Sequence, residues 1–322
     1  MGRAELLRVV RALLERPTAP FHEEAVRDEI VAQLHRCARV TLDQDPFGNL
    51  IARYRGDADR PASWAFAAHM DHPAWVRGPD GEFQFLGSVA QIYLEGAARR
   101  EFGDFAMFDL PAFELKEERI HSRACDDLLG CAGIICTFYE LERREADVNC
   151  VGIFTRAEEV GFAGAIELAR TGALPEALTI FSLETSTPRG GAEMGRGPIV
   201  RVGDRLSIFD DAGTSHLLDV AKRTGIPVQR CLLDGGACEA SAYQLYGYRC
   251  IAASLALGNY HNCAPDGTIA CEYVSIDDYS NMVRLCVALA RSGIESGNTL
   301  PARRLELEKK ADAFRSFYRP LH

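Results

Sequence analysis

Two adjacent carboxylates, Glu158 and Glu159, follow an apolar run at residues 150–154. Two buried like charges repel each other, and one of them tends to protonate unless cations offset the charge. With a metal nearby, one glutamate can bind it while the other takes a proton from bound water. Acidic or histidine sites lie beside four more apolar runs, namely His69, Asp126-Asp127, Glu184 and His261. The pattern predicts a metal-centred hydrolase, and the alternative for the glutamate pair is an exposed acidic turn.

A sheet can bring these remote residues together. From residue 126 onward, strand-like runs alternate with helical patterns, which favours crossover units and a largely parallel sheet with antiparallel edges. In an open α/β sheet the carboxyl ends of the strands line one crevice. Strands are predicted at the apolar runs 64–68, 150–154, 178–183 and 250–257. The predicted fold class is therefore α/β, with a mostly parallel central sheet flanked by helices.

The stretch at residues 73–120 differs from the rest of the chain. It contains short β-like runs separated by turns at Pro79-Asp80-Gly81, Gly87 and Gly103-Asp104, and it has no long helical pattern. We predict a small inserted β-rich domain at 73–120, serving as a lid or in dimerisation. Residues 1–72 and 121–322 then form the catalytic α/β domain.

Other elements frame this core. Helical patterns are predicted at 4–15, 23–37, 128–141, 278–291 and in the charged tail 300–322, and strands at 40–43 and 49–54. Ser275 and Asp278 have the spacing of a capping box, in which each residue's side chain satisfies the other's backbone amide. The charge run of the tail predicts a solvated face, with a subunit contact as the alternative.

Composition excludes several classes of protein. The chain has 322 residues, 47% of them hydrophobic, and a net charge of −10 without a basic cluster interleaved with aromatics, which argues against nucleic-acid binding. The apolar runs are shorter than the ~18 to 20 residues of a membrane span, and the N-terminus is charged throughout. We therefore expect a cytoplasmic protein that contacts neither nucleic acid nor membrane. The 11 cysteines form no Cys-x-x-Cys pair and are interpreted as reduced.

At two of the candidate sites, a neighbouring residue strengthens the prediction of metal binding. In His69-Met70-Asp71, residues two apart on a strand face the same side, so Asp71 can orient the imidazole and raise its basicity. In Asp126-Asp127 the two carboxylates could cap the following helix, but that explains one aspartate better than two. A carboxylate can also bridge two cations, and this donor set suits zinc, manganese or cobalt.

Taken in order, these segments resemble the cocatalytic metallo-aminopeptidases, in particular the glutamyl aminopeptidases and the TET-type deblocking aminopeptidases. The resemblance covers nearly the whole chain and rests on Ala68-His69-Met70-Asp71, Asp126-Asp127-x-x-Gly130, Glu158-Glu159-Val160-Gly161 with Gly164-Ala165, Glu184, Met194-Gly195-Arg196-Gly197-Pro198, Gly235-Gly236 with Glu239-Ala240, and His261. It implies a metallo-aminopeptidase that removes N-terminal residues from peptides and forms a homo-oligomer.

The resemblance also implies roles for individual residues. His69 and Glu184 would bind one or other of two divalent metal ions, expected to be zinc, with cobalt or manganese as alternatives. Glu159 and His261 would fill the remaining terminal positions, and Asp126 would bridge. Glu158 would be the general base, with Asp71 counted beside it among the catalytic residues. The peptide bond between Asp126 and Asp127 is expected to be cis.

Three departures from the family pattern keep alternatives open. Glu184 stands where these aminopeptidases usually have aspartate, and glutamate is common there in related enzymes, so a dinuclear-metal carboxypeptidase or N-acyl-amino-acid amidohydrolase is an alternative. The insertion is shorter than in TET-type enzymes, where it helps to build large cages. His261-Asn262-Cys263 replaces the usual His-Ser-Pro, with extra residues before Glu272. A non-catalytic binding protein on the same fold is a third hypothesis. A serine hydrolase is disfavoured because no Gly-x-Ser-x-Gly elbow occurs.

Overall fold

The computed structural model describes residues 1–56, 61–292, 299–312 and 315. Its strands are β1 (Val40–Gln44), β2 (Leu50–Arg55), β3 (Trp64–His69), β4 (Ala74–Arg77), β5 (Phe83–Leu86), β6 (Arg99–Glu101), β7 (Phe105–Phe108), β8 (Glu114–Lys116), β9 (Arg119–Ser122), β10 (Asn149–Thr155), β11 (Thr179–Ser186), β12 (Ile199–Arg201), β13 (Gln229–Cys231), β14 (Arg249–Ala256) and β15 (Glu272–Ser275).

The helices are α1 (Arg3–Leu14), α2 (Glu24–Leu34), α3 (Gln91–Leu94), α4 (Leu128–Arg143), α5 (Ala163–Thr171), α6 (Asp211–Thr224), α7 (Glu239–Leu245), α8 (Ile276–Ser292) and α9 (Thr299–Asp312). Two short 3₁₀ turns, Glu158–Val160 and Tyr260–Asn262, follow β10 and β14. In the part of the chain that the structure covers, no helix has the length and apolar character needed to cross a bilayer.

An eight-stranded sheet forms the centre, in the order β1-β2-β10-β3-β11-β14-β12-β13. Its middle strands β10, β3, β11 and β14 run parallel to one another. Antiparallel pairs join β1 to β2, β2 to β10, and β12 to β14. The predicted α/β class, with a mostly parallel sheet and antiparallel margins, is confirmed.

The sheet buries both faces because successive side chains of a strand point in opposite directions. In β3, Trp64 and Phe66 pack in a large core with helices α1, α2, α4 and α8. Ala65 and Ala67, which alternate with them in sequence, pack on the other face in a core shared with α5 and α7. Burial of a large apolar side chain stabilises the fold by about 1.5 to 3 kcal/mol. Continuous apolar runs therefore specify these central strands.

Two small sheets lie outside the central one. The strands β5-β4-β7-β6 form a four-stranded antiparallel sheet around Trp75, Phe85 and Phe108, and α3 is the only described helix between β4 and β9. A three-stranded sheet, β15-β9-β8, joins the end of the 73–120 segment to residues far along the chain. The segment is thus β-rich as expected, while its status as a separate domain stays a prediction.

Side-chain caps fix the starts of α4 and α8. Asp127 caps α4, since its Oδ1 accepts a hydrogen bond from Gly130 N at 3.1 Å. Ser275 Oγ accepts from Asp278 N at 3.3 Å, as a capping residue of α8 should. The reciprocal half of the predicted capping box is wrong, because the Asp278 carboxylate binds the amides of Gly195 and Gly197 instead.

The charged tail is helical over Thr299–Asp312. Apart from residue 315, the remainder of the predicted helix at 300–322 lies outside the described residues.

Candidate functional site

A cavity of about 440 Å³ opens where the parallel strands end. Its lining includes all of the predicted metal ligands and the predicted base, namely His69, Asp126, Glu158, Glu159, Glu184 and His261. His69 is the last residue of β3 and lies beside Thr155, the last residue of β10, in parallel register. The carboxyl ends of neighbouring parallel strands thus bring together side chains that are remote in sequence.

Asp126 lies between two histidines. Its Oδ1 is 3.5 Å from His69 Nε2 and its Oδ2 is 3.6 Å from His261 Nε2, so each carboxylate oxygen faces a different imidazole. The peptide bond between Asp126 and Asp127 is cis, as the resemblance implied. A carboxylate in this position can offer one oxygen to each of two neighbouring cations.

Glu159 completes the cluster. One ligand atom each from His69, Asp126 and Glu159 lie within 4.8 Å of one another, and Glu159 Oε1 is 3.2 Å from His261 Nε2. Three buried atoms of this group, Asp126 Oδ1, Glu159 Oε1 and His261 Nε2, make no hydrogen bond of acceptable geometry, although the last two lie within 3.2 Å of each other. Buried polar atoms are normally satisfied, so three unsatisfied atoms in one cluster fit a bound ion. Carboxylate oxygen and imidazole nitrogen are ligands of zinc and of similar divalent ions.

A buried aspartate beneath the cluster orients two of its members. Asp71 Oδ1 accepts a hydrogen bond from Glu158 N at 3.0 Å, and Oδ2 accepts from Glu159 N at 3.1 Å. The same carboxylate lies 3.5 Å from His69 Nδ1, and the backbone carbonyl oxygen of Asp71 lies 3.2 Å from that nitrogen and can accept its N–H. The predicted proximity of Asp71 to the imidazole is present, and its contact with the glutamate turn was not foreseen.

The glutamate turn is also held from its N-terminal side. Ala157 has a φ of 52° and donates its backbone N–H to the buried Glu23 carboxylate at 3.0 Å. Arg156 Nε donates to the other oxygen of Glu23 at 2.6 Å. Glu23 before α2, Asp71 after β3 and Arg156 after β10 therefore determine together where Glu158 and Glu159 point.

His261 is oriented by the 73–120 segment. Its Nδ1 lies 3.0 Å from the carbonyl oxygen of Ser88, which accepts the ring N–H and leaves Nε2 facing the cavity. Tyr260 stacks on the His261 ring with 3.7 Å between ring centroids. His72 bridges the carbonyl oxygen of Asp126, at 2.7 Å, and Asn262 Oδ1, at 3.1 Å.

The charges of the cluster favour a cation. Burial raises the pKa of Glu184 to about 7, and burial followed by the charge of Glu159 raises the pKa of Glu158 well above its ordinary value. Burial also raises the pKa of Asp126, but His261 and His69 outweigh it, and the pKa falls below the usual range. Because four carboxylates share the cavity with two histidines, a divalent cation would relieve their repulsion.

Glu184 differs from its expected place. It lies inside β11, which continues to Ser186, rather than just after the strand. Its Oε1 accepts a hydrogen bond from Ser182 Oγ at 2.8 Å. The carboxylate still lines the cavity, because the parallel register in which Ser182 pairs with Ala67 brings Glu184 level with His69 at the end of β3.

Three arginines that the sequence analysis did not single out, Arg189, Arg201 and Arg205, also line the cavity and are called the arginine wall below. Arg201 is 3% exposed, its Nη1 donates to Ser254 Oγ at 3.5 Å, and its Nε has no partner. Arg189 and Arg205 are exposed parts of the same lining. Gly235 makes room for Arg189, since a Cβ there would lie 2.5 Å from Arg189 Nε. The sequence signal that could have pointed to Arg201 is its position as a lone arginine in the apolar run 199–202.

Comparison with known proteins identifies the family. The profile of the M42 glutamyl aminopeptidases matches residues 95–285. The chain belongs to the M42 glutamyl aminopeptidase family. It is therefore a peptidase, a hydrolase of peptide bonds, as expected from the resemblance, and M42 peptidases are metal-dependent.

Relatives of this M42 peptidase agree with the assignment. A protein of Acetivibrio thermocellus, provisionally described as an aminopeptidase, is 26% identical over 319 residues, covering 83% of this chain and 92% of the relative.

Solved structures share the fold. The TET1 peptidase of Pyrococcus horikoshii, which can assemble into a tetrahedron or a large octahedral shell, has a TM-score of 0.74 at 21% identity, covering 90% of this chain and 99% of that one. An aminopeptidase of Desulfurococcus kamchatkensis has the same TM-score and identity, and the match covers 90% of this chain and 96% of that one. A TET aminopeptidase of a marine sediment thaumarchaeote reaches 0.77 at 18% identity, covering 91% and 98%.

Proposed function

We propose that this M42 peptidase is an aminopeptidase whose centre holds two divalent metal ions, with zinc as the first candidate and cobalt or manganese as alternatives. The observation that carries the proposal is Asp126, with one carboxylate oxygen facing His69 and the other facing His261. His69 and Glu184 would complete one metal site, and Glu159 and His261 the other. Six side chains from five segments share one cavity, which supports these roles.

The proposed reaction is hydrolysis of the N-terminal peptide bond. Metal ions held by these residues would supply a water of lowered pKa and would polarise the scissile carbonyl. Glu158 accepts the proton of the attacking water and passes it to the nitrogen of the leaving amine. Asp71 fixes the turn that carries Glu158 and orients the His69 ring, so it acts by positioning.

The arginine wall suggests which N-terminal residue the cavity accepts. Arg201 is buried with an unpartnered Nε, and none of Arg189, Arg201 and Arg205 forms an ion pair among the described residues. A buried guanidinium needs an anionic or hydrogen-bonding partner, and a carboxylate matches its planar geometry. We therefore propose a preference for an acidic N-terminal residue, in keeping with the glutamyl aminopeptidases of the family.

Glutamyl, leucyl and lysyl anilides with a free amine, compared with the N-acetylated amino acids, whose carboxylate is free, test the proposal. We expect metal-dependent hydrolysis of the free-amine substrates, fastest for the glutamyl one, lost after chelation and restored by metal, with about two metal equivalents per chain. Faster cleavage of N-acylated amino acids would instead identify the carboxypeptidase or amidohydrolase alternative. In that case the arginines would bind the substrate's C-terminal carboxylate. Metal uptake without hydrolysis of any substrate would indicate a binding protein.

The assembly and location are also proposals. Because the TET1 structure of P. horikoshii was solved as a dodecamer, a homo-oligomer is proposed here as well. The short 73–120 segment favours a smaller assembly, which light scattering coupled to size exclusion can measure. The cytoplasmic location expected from the sequence stays a prediction.

A further inference from the structure

Two loops that carry proposed metal ligands meet at one buried side chain. Glu272, on β15, has no exposed surface. Its Oε2 accepts backbone hydrogen bonds from Cys125 N at 2.7 Å and Asp126 N at 3.1 Å. Its Oε1 accepts from His261 N at 2.8 Å. One carboxylate thus joins the backbone of the bridging aspartate to the backbone of the late histidine.

The chemistry of this contact requires a carboxylate. Three N–H donors point at two oxygens, and an ionised carboxylate is the side chain that presents acceptors only. The described residues include no lysine or arginine paired with Glu272, so these backbone amides are its observed partners.

A loop separates His261 from Glu272 along the chain, so the hydrogen bond between them links the two ends of that loop. Residues 263–271 form a loop in which Ala264 N donates to Thr268 O at 2.9 Å. Tyr93 Oη, from the 73–120 segment, donates to Ala264 O at 3.0 Å. Glu272 follows this loop, and its side chain returns to accept the hydrogen bond of the His261 amide.

We propose that Glu272 is a positioning residue of the metal centre, which sets the spacing between Asp126 and His261 through their backbones. The inference rests on the proposed function, because it assumes that both residues bind metal. It also explains how His261 stays in place ahead of the loop at residues 263–271, since its backbone is anchored to Glu272 on the far side of that loop.

Substitutions of Glu272 separate positioning from general stability. In Glu272→Gln an amide NH₂ group must face at least one backbone N–H, which leaves that donor unsatisfied. Glu272→Asp keeps the charge but is too short to contact both loops. Asp278→Asn is the matched control, because Asp278 is also buried and also accepts from two backbone amides, Gly195 and Gly197, away from the cavity lining.

The measurement is calorimetric titration of the metal-free full-length proteins with zinc and with cobalt, alongside thermal unfolding. Loss of an outer partner of metal ligands lowers metal affinity by about 10- to 100-fold. We expect metal affinity to fall by this factor in Glu272→Gln and by less in Glu272→Asp. In Asp278→Asn we expect wild-type metal affinity, even if its melting temperature falls as much as that of the Glu272 variants. The cobalt absorption spectrum should change in the Glu272 variants alone.

Each outcome decides the matter. Wild-type affinity and spectrum in Glu272→Gln, or an equal loss of affinity in Asp278→Asn, would overturn the positioning role while leaving the metal centre standing. A wild-type chain that takes up no metal would overturn the proposed centre and this role with it. If Glu272→Gln does not fold, Glu272→Asp carries the test, and undiminished affinity there has the same meaning.

Discussion

The carboxylate of Asp71 lies against the backbone of Glu158, whose amide nitrogen donates to Asp71 Oδ1 at 3.0 Å. The next amide, that of Glu159, donates to Oδ2 at 3.1 Å. One side chain therefore fixes the proposed base and a proposed ligand at the same time. It also lies 3.5 Å from His69 Nδ1, so the end of β3 and the turn after β10 are coupled through it.

Replacing Asp71 by asparagine should impair both catalysis and metal binding. The amide NH₂ group would face one of the two backbone N–H groups, at a cost of about 1 to 3 kcal/mol. We expect a lower kcat and an affinity for metal reduced by about 10-fold or more. Activity assayed over a range of zinc concentrations, with Asp278→Asn as control, measures both effects. Unchanged metal dependence would contradict this role for Asp71.

Replacing Glu158 by glutamine should abolish turnover and leave metal binding intact. Glutamine has nearly the same shape but cannot accept the proton of water, and general-base catalysis contributes about 10²- to 10⁴-fold. Glu159→Gln is the contrasting variant, since it removes a proposed ligand and should lower metal content. Kinetics together with elemental analysis of both proteins distinguish the two roles. Near-wild-type kcat in Glu158→Gln would refute the assignment of the base.

Replacing Arg201 by methionine should change selectivity more than activity. A hydrogen bond to a charged group contributes about 1.5 to 3 kcal/mol, which corresponds to about 10- to 100-fold in kcat/KM for the glutamyl anilide. The leucyl anilide should be cleaved as before or faster. Arg123→Met is the matched control, because Arg123 is also buried with an unpartnered Nε but does not line the cavity. Equal losses on both substrates would mean that Arg201 only balances the charge of the cluster.

The convergence of the site could be predicted because it depends on a local rule. His69 and the Glu158–Glu159 pair each follow an apolar run, and the ends of parallel strands share one edge of a sheet. The exact end of β11 could not be predicted in the same way. Thr185 and Ser186 are polar, yet they continue the strand by pairing with Leu255 and Ala256.

The roles of Glu272 and Arg201 could not be predicted from the sequence, for a different reason. Glu272 matters through three backbone amides, two of them on a loop near residue 126, and nothing local at β15 indicates that contact. Arg201 ends a strand of three residues, too short for a periodicity to show which side is buried. Its burial follows from the pairing of β12 with β14, which only the folded chain displays.

A last prediction concerns Glu239, a fully buried acid behind the site. Thr155 Oγ1 donates to its Oε2 at 2.7 Å, while burial, followed by the charge of Glu184, raises its pKa to about 8. Between pH 4.5 and about 8, Glu239 has lost its proton in the unfolded chain but retains it in the folded chain. The free energy of unfolding that Glu239 contributes therefore decreases as the pH rises through this range. Glu239→Gln removes the effect, and its free energy of unfolding relative to wild type should increase from about pH 5 to about pH 8, by at most about 1.4 kcal/mol per pH unit. Urea unfolding of the metal-free proteins across this range measures it, and parallel pH profiles for the two proteins would show that Glu239 is ionised in the fold.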